Sequence, residues 1–148
     1  MNDLKTLAKD LRTEFPRSPR ETLAGYVVAS RALDKCRAVL AETNGEYHFG
    51  CPLDNTFFNF SGISSDSFKE FVASGADDAA VAAWITEKSQ IKNTREIIAW
   101  NNEMRSKRPV DMPIELQEFL EGYIPQFIPE GKIVRVWFDV YDMEEGRL

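Results

Sequence analysis

The sequence predicts an all-α protein, a single compact domain of about seven or eight helices over residues 1–148. Three observations lead there. Apolar residues recur along most of the chain at the spacing of a helix with one buried face. The periodic segments are separated by helix start and stop signals rather than by long polar tracts. The 148 residues are 43% hydrophobic and 28% charged, a composition that lets a chain of this length bury roughly 70% of its unfolded surface in one core.

Taken in order, Leu4, Leu7, Ala8 and Leu11 place a short amphipathic helix over residues 3–14. Pro16 ends it, because proline has no N–H and clashes with the preceding turn. "SPRE", Ser18 to Glu21, has the form of a capping box with Pro19 at the first helical position. A long helix is expected from there to about Ala41, stopped by "TNG". "CPLDNTFFNFSG" reads as a helix starting at Pro52 and closed by Gly62. Ser64 or Ser65 caps the next, which runs to about Ser74. Asp77 opens "DAAVAAWITEK", and Thr94 opens another helix through about Ser106. Pro113 opens "PIELQEFLEG", closed by Gly122. "YIPQFIPEG" has two prolines and is expected to be irregular. "KIVRVWFDVYDMEE" fits two periods: Val134, Val136, Phe138 and Val140 alternate as in a strand, whereas Ile133, Val136, Trp137, Val140 and Tyr141 share a helical face. A lone strand would have no partner, so helix is the expectation and strand the alternative.

Composition excludes several function classes. No run approaches the ~20 apolar residues of a membrane span. "MNDLKTLAKDLRTEF" lacks the apolar stretch of a secretory signal, so the expected location is cytoplasmic. Two cysteines, Cys36 and Cys51, are too few for a disulfide scaffold and are expected to be reduced. The net charge of −6 disfavours nucleic acid as a partner, and no membrane partner is expected. The charge is uneven: residues 1–40 carry +3 and the remainder −9. The basic spots "PRSPR" and "MRSKRP" leave a local anion contact open, with solvated loops as the plainer reading.

The long helix carries polar residues where apolar ones are expected. Tyr26, Ala29, Leu33, Cys36 and Leu40 mark its apolar stripe, widened by Leu23 and Val27, and Ser30, Asp34 and Arg37 fall inside the widened arc. Asp34 and Arg37, three apart, can pair. Half-buried charges are costly unless paired, so these residues either line a polar pocket or form a structural ion pair. Arg31 and Lys35 point elsewhere, towards solvent. Asn101 sits on the face defined by Ile97, Trp100 and Met104 and either joins a site or satisfies a neighbouring backbone. Trp84, Trp100, Trp137 and the "FFNF" run are expected in the core.

The densest chemistry lies in "GEYHFGCPLD", Gly45 to Asp54. Pro52 at a helix start puts Cys51 at or beside the N-cap, where free N–H groups and the helix dipole lower a thiol pKa. His48, three residues earlier, would complete the minimum for nucleophilic thiol chemistry. Asp54 competes for the same positive field and can act as a cap. Cys51 can also be a small buried hydrophobe. His48, Cys51 and Asp54, with Cys36 from the long helix, are the residues a zinc site would use, but the spacing matches no strong metal pattern and no metal is expected. Tyr47 and Phe49 are expected to anchor the loop in the core. No GxGxxG, P-loop, GxSxG or HExxH motif is present, and no cofactor is expected.

The stretches "PRSPRETLAGYVVASRALDKCRA", "GEYHFGCPLDNTFFNFSGI", "GADDAAVAAW" and "IIAWNNEM" resemble a bacterial family of small proteins, the domain of unknown function 5069 family, over nearly the whole chain. The motif positions are Asp34, Lys35, Arg37, Glu46, Tyr47, Cys51, Pro52, Leu53 and Asp54. The resemblance implies a bacterial, single-domain, helical protein. It carries no activity. It also implies a small residue at position 36, so Cys36 departs from the pattern and is a poor choice of required ligand or redox partner.

The expected function is a non-catalytic helical domain that binds a small polar or anionic ligand or a protein partner. The candidate binding residues are Ser30, Asp34, Arg37, Glu46, His48, Cys51, Asp54 and Asn101, with Arg37 suited to an anion through its bidentate geometry. Two alternatives remain. One is an enzyme whose catalytic candidates are Cys51, His48 and Asp34. The other is an interaction protein using an exposed apolar helix face, with "WFDVYDM" as its segment and a homo-oligomer as one outcome.

Overall fold

The structure, a computed structural model, describes residues 3–148. The fold is mostly helical. Eight α-helices are present among the described residues: α1 Leu4–Leu7, α2 Ala29–Leu40, α3 Pro52–Ser61, α4 Ser65–Ala73, α5 Asp78–Lys88, α6 Thr94–Ser106, α7 Ile114–Phe127 and α8 Trp137–Glu144. One small antiparallel hairpin, β1 Thr22–Leu23 and β2 Tyr26–Val27, precedes α2, with Leu23 opposite Tyr26 and Thr22 opposite Val27. The chain packs as two units, one up to Ile97 and one from Ile98 to Leu148.

The first unit is built around α2, whose residues Ala29 to Ala38 are all buried. A helix enclosed on every side normally lacks charge, yet this one carries Arg31, Asp34, Lys35 and Arg37. The apolar core beside it is aromatic. Phe57 lies 5.2 Å from Tyr26, Phe58 lies 5.3 Å from Phe68, and Phe71 stacks on Trp84 at 5.1 Å. Helices α3, α4 and α5 begin and end as their sequences predict. Pro52 occupies the first turn of α3 behind the N-cap Cys51, and Gly62 closes the helix with φ 75°. Ser64 and Asp77 cap α4 and α5 by accepting from the Ser67 and Ala80 backbone N–H groups.

Two N-terminal expectations are corrected. The first helix covers only Leu4–Leu7, not residues 3–14. The backbone turns extended at Ala8, the Asp10 carboxylate accepts from the Arg12 N–H, and the Leu11 N–H donates to the Thr43 carbonyl. A short helix has little cooperative stability to resist such competition. The long helix begins at Ala29 rather than near Ser18. The Ser18 box does form, with the Ser18 N–H on Glu21 Oε2 and the Arg20 N–H on Ser18 Oγ, but it closes a single turn. Ala24 and Gly25 both adopt positive φ, 54° and 87°, the signature of a two-residue hairpin turn. Val28, also at positive φ, then redirects the chain into α2.

In the second unit, Met104, Met112, Leu120, Ile128, Trp137, Phe138 and Val140 are buried. The Trp137 N–H donates to the Lys107 carbonyl, and Tyr123 Oη donates to Glu144. The C-terminal segment is helical from Trp137, as the absence of a strand partner suggests. Helix α7 corrects a third expectation: it passes through Gly122 and contains Pro125, ending at Phe127. Pro125 lacks the N–H that would bond the preceding turn. Aromatic contacts bracket the gap, with Phe119, Tyr123 and Phe127 in register at 5.3 and 4.5 Å. The "YIPQF" part of the segment is therefore helix, not irregular chain.

Candidate functional site

The charges on α2 are resolved into two clusters, one that runs from buried Asp34 and Arg37 out to half-exposed Asp78 and one that is enclosed at Lys35 and Asp54. In the first, Arg17 grips Asp34 with its backbone N–H at 2.8 Å, Nε at 3.1 Å and Nη2 at 3.0 Å. Arg17 Nη1 continues to Asp78 at 2.9 Å, and Arg37 Nη1 reaches the other Asp78 oxygen at 2.8 Å. Arg37 Nη2 donates to the Ala76 carbonyl. Asp34 and Arg37 are thus joined through Arg17 and Asp78, the first residue of α5, and not to each other. Lys9 adds a longer contact to Asp34, 3.7 Å. Burial works against the charge on Arg17 and on Asp78, but the pairing outweighs it. The Asp34 and Asp78 carboxylates hold Arg17 above its ordinary value, and the Arg37 and Arg17 guanidiniums hold Asp78 below the usual carboxylate range.

The second cluster corrects the expectation that Lys35 faces solvent. Lys35 is 3% exposed, and its Nζ lies 2.9 Å from Asp54 Oδ1 and 3.1 Å from Cys51 Sγ. The Asp54 contact is an ion pair without hydrogen-bond alignment. The other Asp54 oxygen accepts from the Gly50 N–H at 2.9 Å. Asp54 is completely buried, whereas Cys51 is half-buried. Burying a lysine and a carboxylate is tolerable because each neutralises the other. Their sequence positions, i on α2 and N3 on α3, lock the two helices at one point. Arg31, also expected in solvent, is buried, with Nη1 on the Arg17 carbonyl and its guanidinium 5.7 Å from the Tyr47 ring.

The remaining candidates are dispersed. Ser30 is buried and its hydroxyl donates to the Thr22 carbonyl, tying the hairpin to α2. Glu46 and His48 are exposed, and among the described residues His48 makes no hydrogen bond or ion pair. The Cys51–His48 pairing is therefore not formed; the thiol's partner is Lys35. Cys36 is fully buried, and burial, helped by the Asp54 charge and opposed by Lys69 and Arg37, pushes its thiol up to about 12. Asn101 is buried in the second unit. Among the described residues, no group of three or more His, Cys, Asp or Glu is placed to hold a metal ion, so the zinc arrangement of His48, Cys51, Asp54 and Cys36 is not assembled. Tyr47 and Phe49 do hold the loop down, the latter 5.7 Å from Phe58 and 6.0 Å from Phe68.

Three participants escape a reading of the sequence alone: Arg17, Asp78 and the inward course of Lys35. Arg17 and Asp78 sit in a loop and a first helical turn, where charge is ordinary. The one available signal is that "LDK-RA" and "CPLD" are the blocks that carry the family resemblance, and Lys35 and Asp54 belong to them.

The second unit presents a different kind of surface. On α7, Phe119 is 59% exposed and Phe127 45% exposed, with Tyr123 between them. Glu115, Glu118 and Glu121 are exposed on the same helix, which carries no Lys or Arg. "WFDVYDM" does not provide the exposed apolar face: Trp137, Phe138 and Val140 are buried.

The model of a domain of unknown function, DUF5069, matches residues 13–147. The chain belongs to that family. The match takes in Arg17, Asp34, Arg37 and Asp78, the Lys35–Cys51–Asp54 cluster and the whole of α7. No curated protein matches the chain. No helix among the described residues is long and apolar enough to cross a membrane.

Proposed function

We propose that this member of the DUF5069 family is a non-catalytic, cytoplasmic binding protein, and that its partner is a protein segment engaged by α7. The carrying observation is the aromatic ladder Phe119–Tyr123–Phe127, exposed at both phenylalanines, on a helix whose only charges are acidic. Exposed apolar surface of this kind costs solubility and is retained where something covers it. Charge selects the occupant. Glu115, Glu118 and Glu121 suit an apolar segment flanked by Lys or Arg, whereas a second α7 would bring carboxylates against carboxylates. The family match, residues 13–147, runs through both units, which supports reading them as parts of one family domain.

A small-anion role for Ser30, Asp34 and Arg37 has less support. The Ser30 hydroxyl, both Asp34 oxygens and both terminal Arg37 nitrogens already have partners inside the first unit.

Calorimetric titration with two helical peptides tests the reading, one of Leu and Lys and one of Leu and Glu in the same pattern. The Leu/Lys peptide binds, more weakly as salt rises, and the paired change Phe119→Ser and Phe127→Ser weakens it by more than about tenfold. Equal binding of both peptides, or indifference to the paired change, contradicts the reading. A solution mass that doubles with concentration and is abolished by the paired change would assign the face to a second copy instead.

A further inference from the structure

We infer that Lys35 and Cys51 form an oxidation-driven covalent cross-link, a modification site independent of the α7 face. The geometry is that of two reactants already in contact. Lys35 Nζ lies 3.1 Å from Cys51 Sγ, and the lysine is held there by Asp54 on one side and by its burial in α2 on the other. The two groups differ in access. Cys51 is half-buried at the N-cap of α3, within reach of a small oxidant, while Lys35 is 3% exposed and its amine has this thiol and Asp54 as polar partners. Nor is there a competing thiol of comparable reactivity, because Cys36 is fully buried and held protonated.

A sulfenic acid formed in such a place has a short list of fates. The oxidant is a peroxide. In the first step the Cys51 sulfur attacks one peroxide oxygen. The O–O bond breaks, Cys51 becomes S–OH, and the thiol proton leaves with the other oxygen as water. In the second step one ammonium proton of Lys35 passes to the sulfenic hydroxyl, and the lone pair this frees on Nζ attacks the same sulfur. The S–N bond forms as the S–O bond breaks, and the protonated hydroxyl leaves as a second water. A further proton passes to Asp54 or to solvent. The sum consumes one peroxide, one thiol and one amine and yields a sulfenamide and two waters, with sulfur oxidised and peroxide reduced. Asp54 serves as the positioning residue: it fixes the amine beside the sulfur and is placed to take the released proton. The product staples α2 to the start of α3, so that a reducible bond reinforces the ionic lock.

The test treats the full chain with dilute hydrogen peroxide, with and without dimedone, a trap for sulfenic acid, and reads intact mass and cross-linked peptides. The expected result is a loss of two hydrogens, reversed by dithiothreitol, with one peptide pair joining Lys35 to Cys51 and a higher melting temperature for the treated chain. Lys35→Arg keeps the charge but removes the amine; it is expected to accumulate the dimedone adduct at Cys51 instead. The inference is overturned if the wild-type chain accumulates the dimedone adduct or gains oxygen at Cys51 without the joined peptides. It is equally overturned if the loss of two hydrogens maps to a Cys36–Cys51 disulfide. The wild-type peptide map decides the matter even if Lys35→Arg fails to fold.

Discussion

Lys35 is where the cost of burying charge is most concentrated. Its ammonium is removed from water and compensated by one carboxylate, Asp54, that is itself fully buried. Removing either partner leaves an uncompensated charge, which costs about 3–5 kcal/mol, whereas replacing both with apolar side chains is close to neutral. Urea denaturation of Lys35→Met, Asp54→Leu and the double variant should therefore show two strongly destabilised singles and a double that recovers most of the loss. Additive losses would mean that the pair is not coupled. The thiols give a second prediction at this scale. Iodoacetamide should label Cys51 in the native chain and reach Cys36 only on unfolding, as followed by peptide mass across a urea series. Native labelling of Cys36 would contradict its burial. That Asp34 and Arg37 needed partners was legible in the sequence, because charged residues on an apolar arc are costly. Which partners they have was not. Arg17 and Asp78 come from distant stretches, and long-range pairing leaves no periodic trace.

Elements were read best where a cap stands next to a clean stop. Helices α3, α4 and α5 have their boundaries within a residue of the signals that Pro52, Gly62, Ser64 and Asp77 provide. The failures share a cause: a local signal that tertiary contacts overrode. The Ser18 box is a real helix start that the hairpin interrupts after one turn, and Pro125 is a real helix breaker outweighed by the packing around Tyr123 and Phe127. The hairpin turn offers a test. Gly25 sits at φ 87° with nothing near a Cβ that would be added there, so Gly25→Ala should cost about 1 kcal/mol through backbone strain alone. An unchanged urea midpoint would show that the turn relaxes.

The Arg17–Asp78–Arg37 bridge between α2 and α5 adds a pH dependence. Asp78 is held below its ordinary value of 3.8 in the folded chain. The stability it confers is then fully present above that value and is lost as pH falls through the lower folded-state value. The stability gap between wild type and Asp78→Asn should be flat near neutrality and close below about pH 4. A gap that widened in acid would reverse the sign.

At the scale of the whole molecule, the two units divide the work. The first buries Asp34, Lys35, Arg37 and Asp54, and "GEYHFGCPLD" there starts α3 and delivers Cys51 and Asp54 to Lys35. The second turns an aromatic ladder and three glutamates outward. Helical class was legible from apolar periodicity together with the start and stop signals between the periodic segments. The exposed face was not, because a periodic apolar stripe reads the same whether the chain or a partner covers it; Phe119 and Phe127 share a stripe with the half-buried Tyr123 and differ from it only in what the fold leaves uncovered. Hydrogen exchange on the full chain, with and without the Leu/Lys peptide, tests the partner reading most directly. Slowed exchange confined to the backbone amides of α7, Ile114–Phe127, is the predicted result. Protection centred on residues 45–54, or none at a peptide concentration that saturates the calorimetric signal, would contradict it.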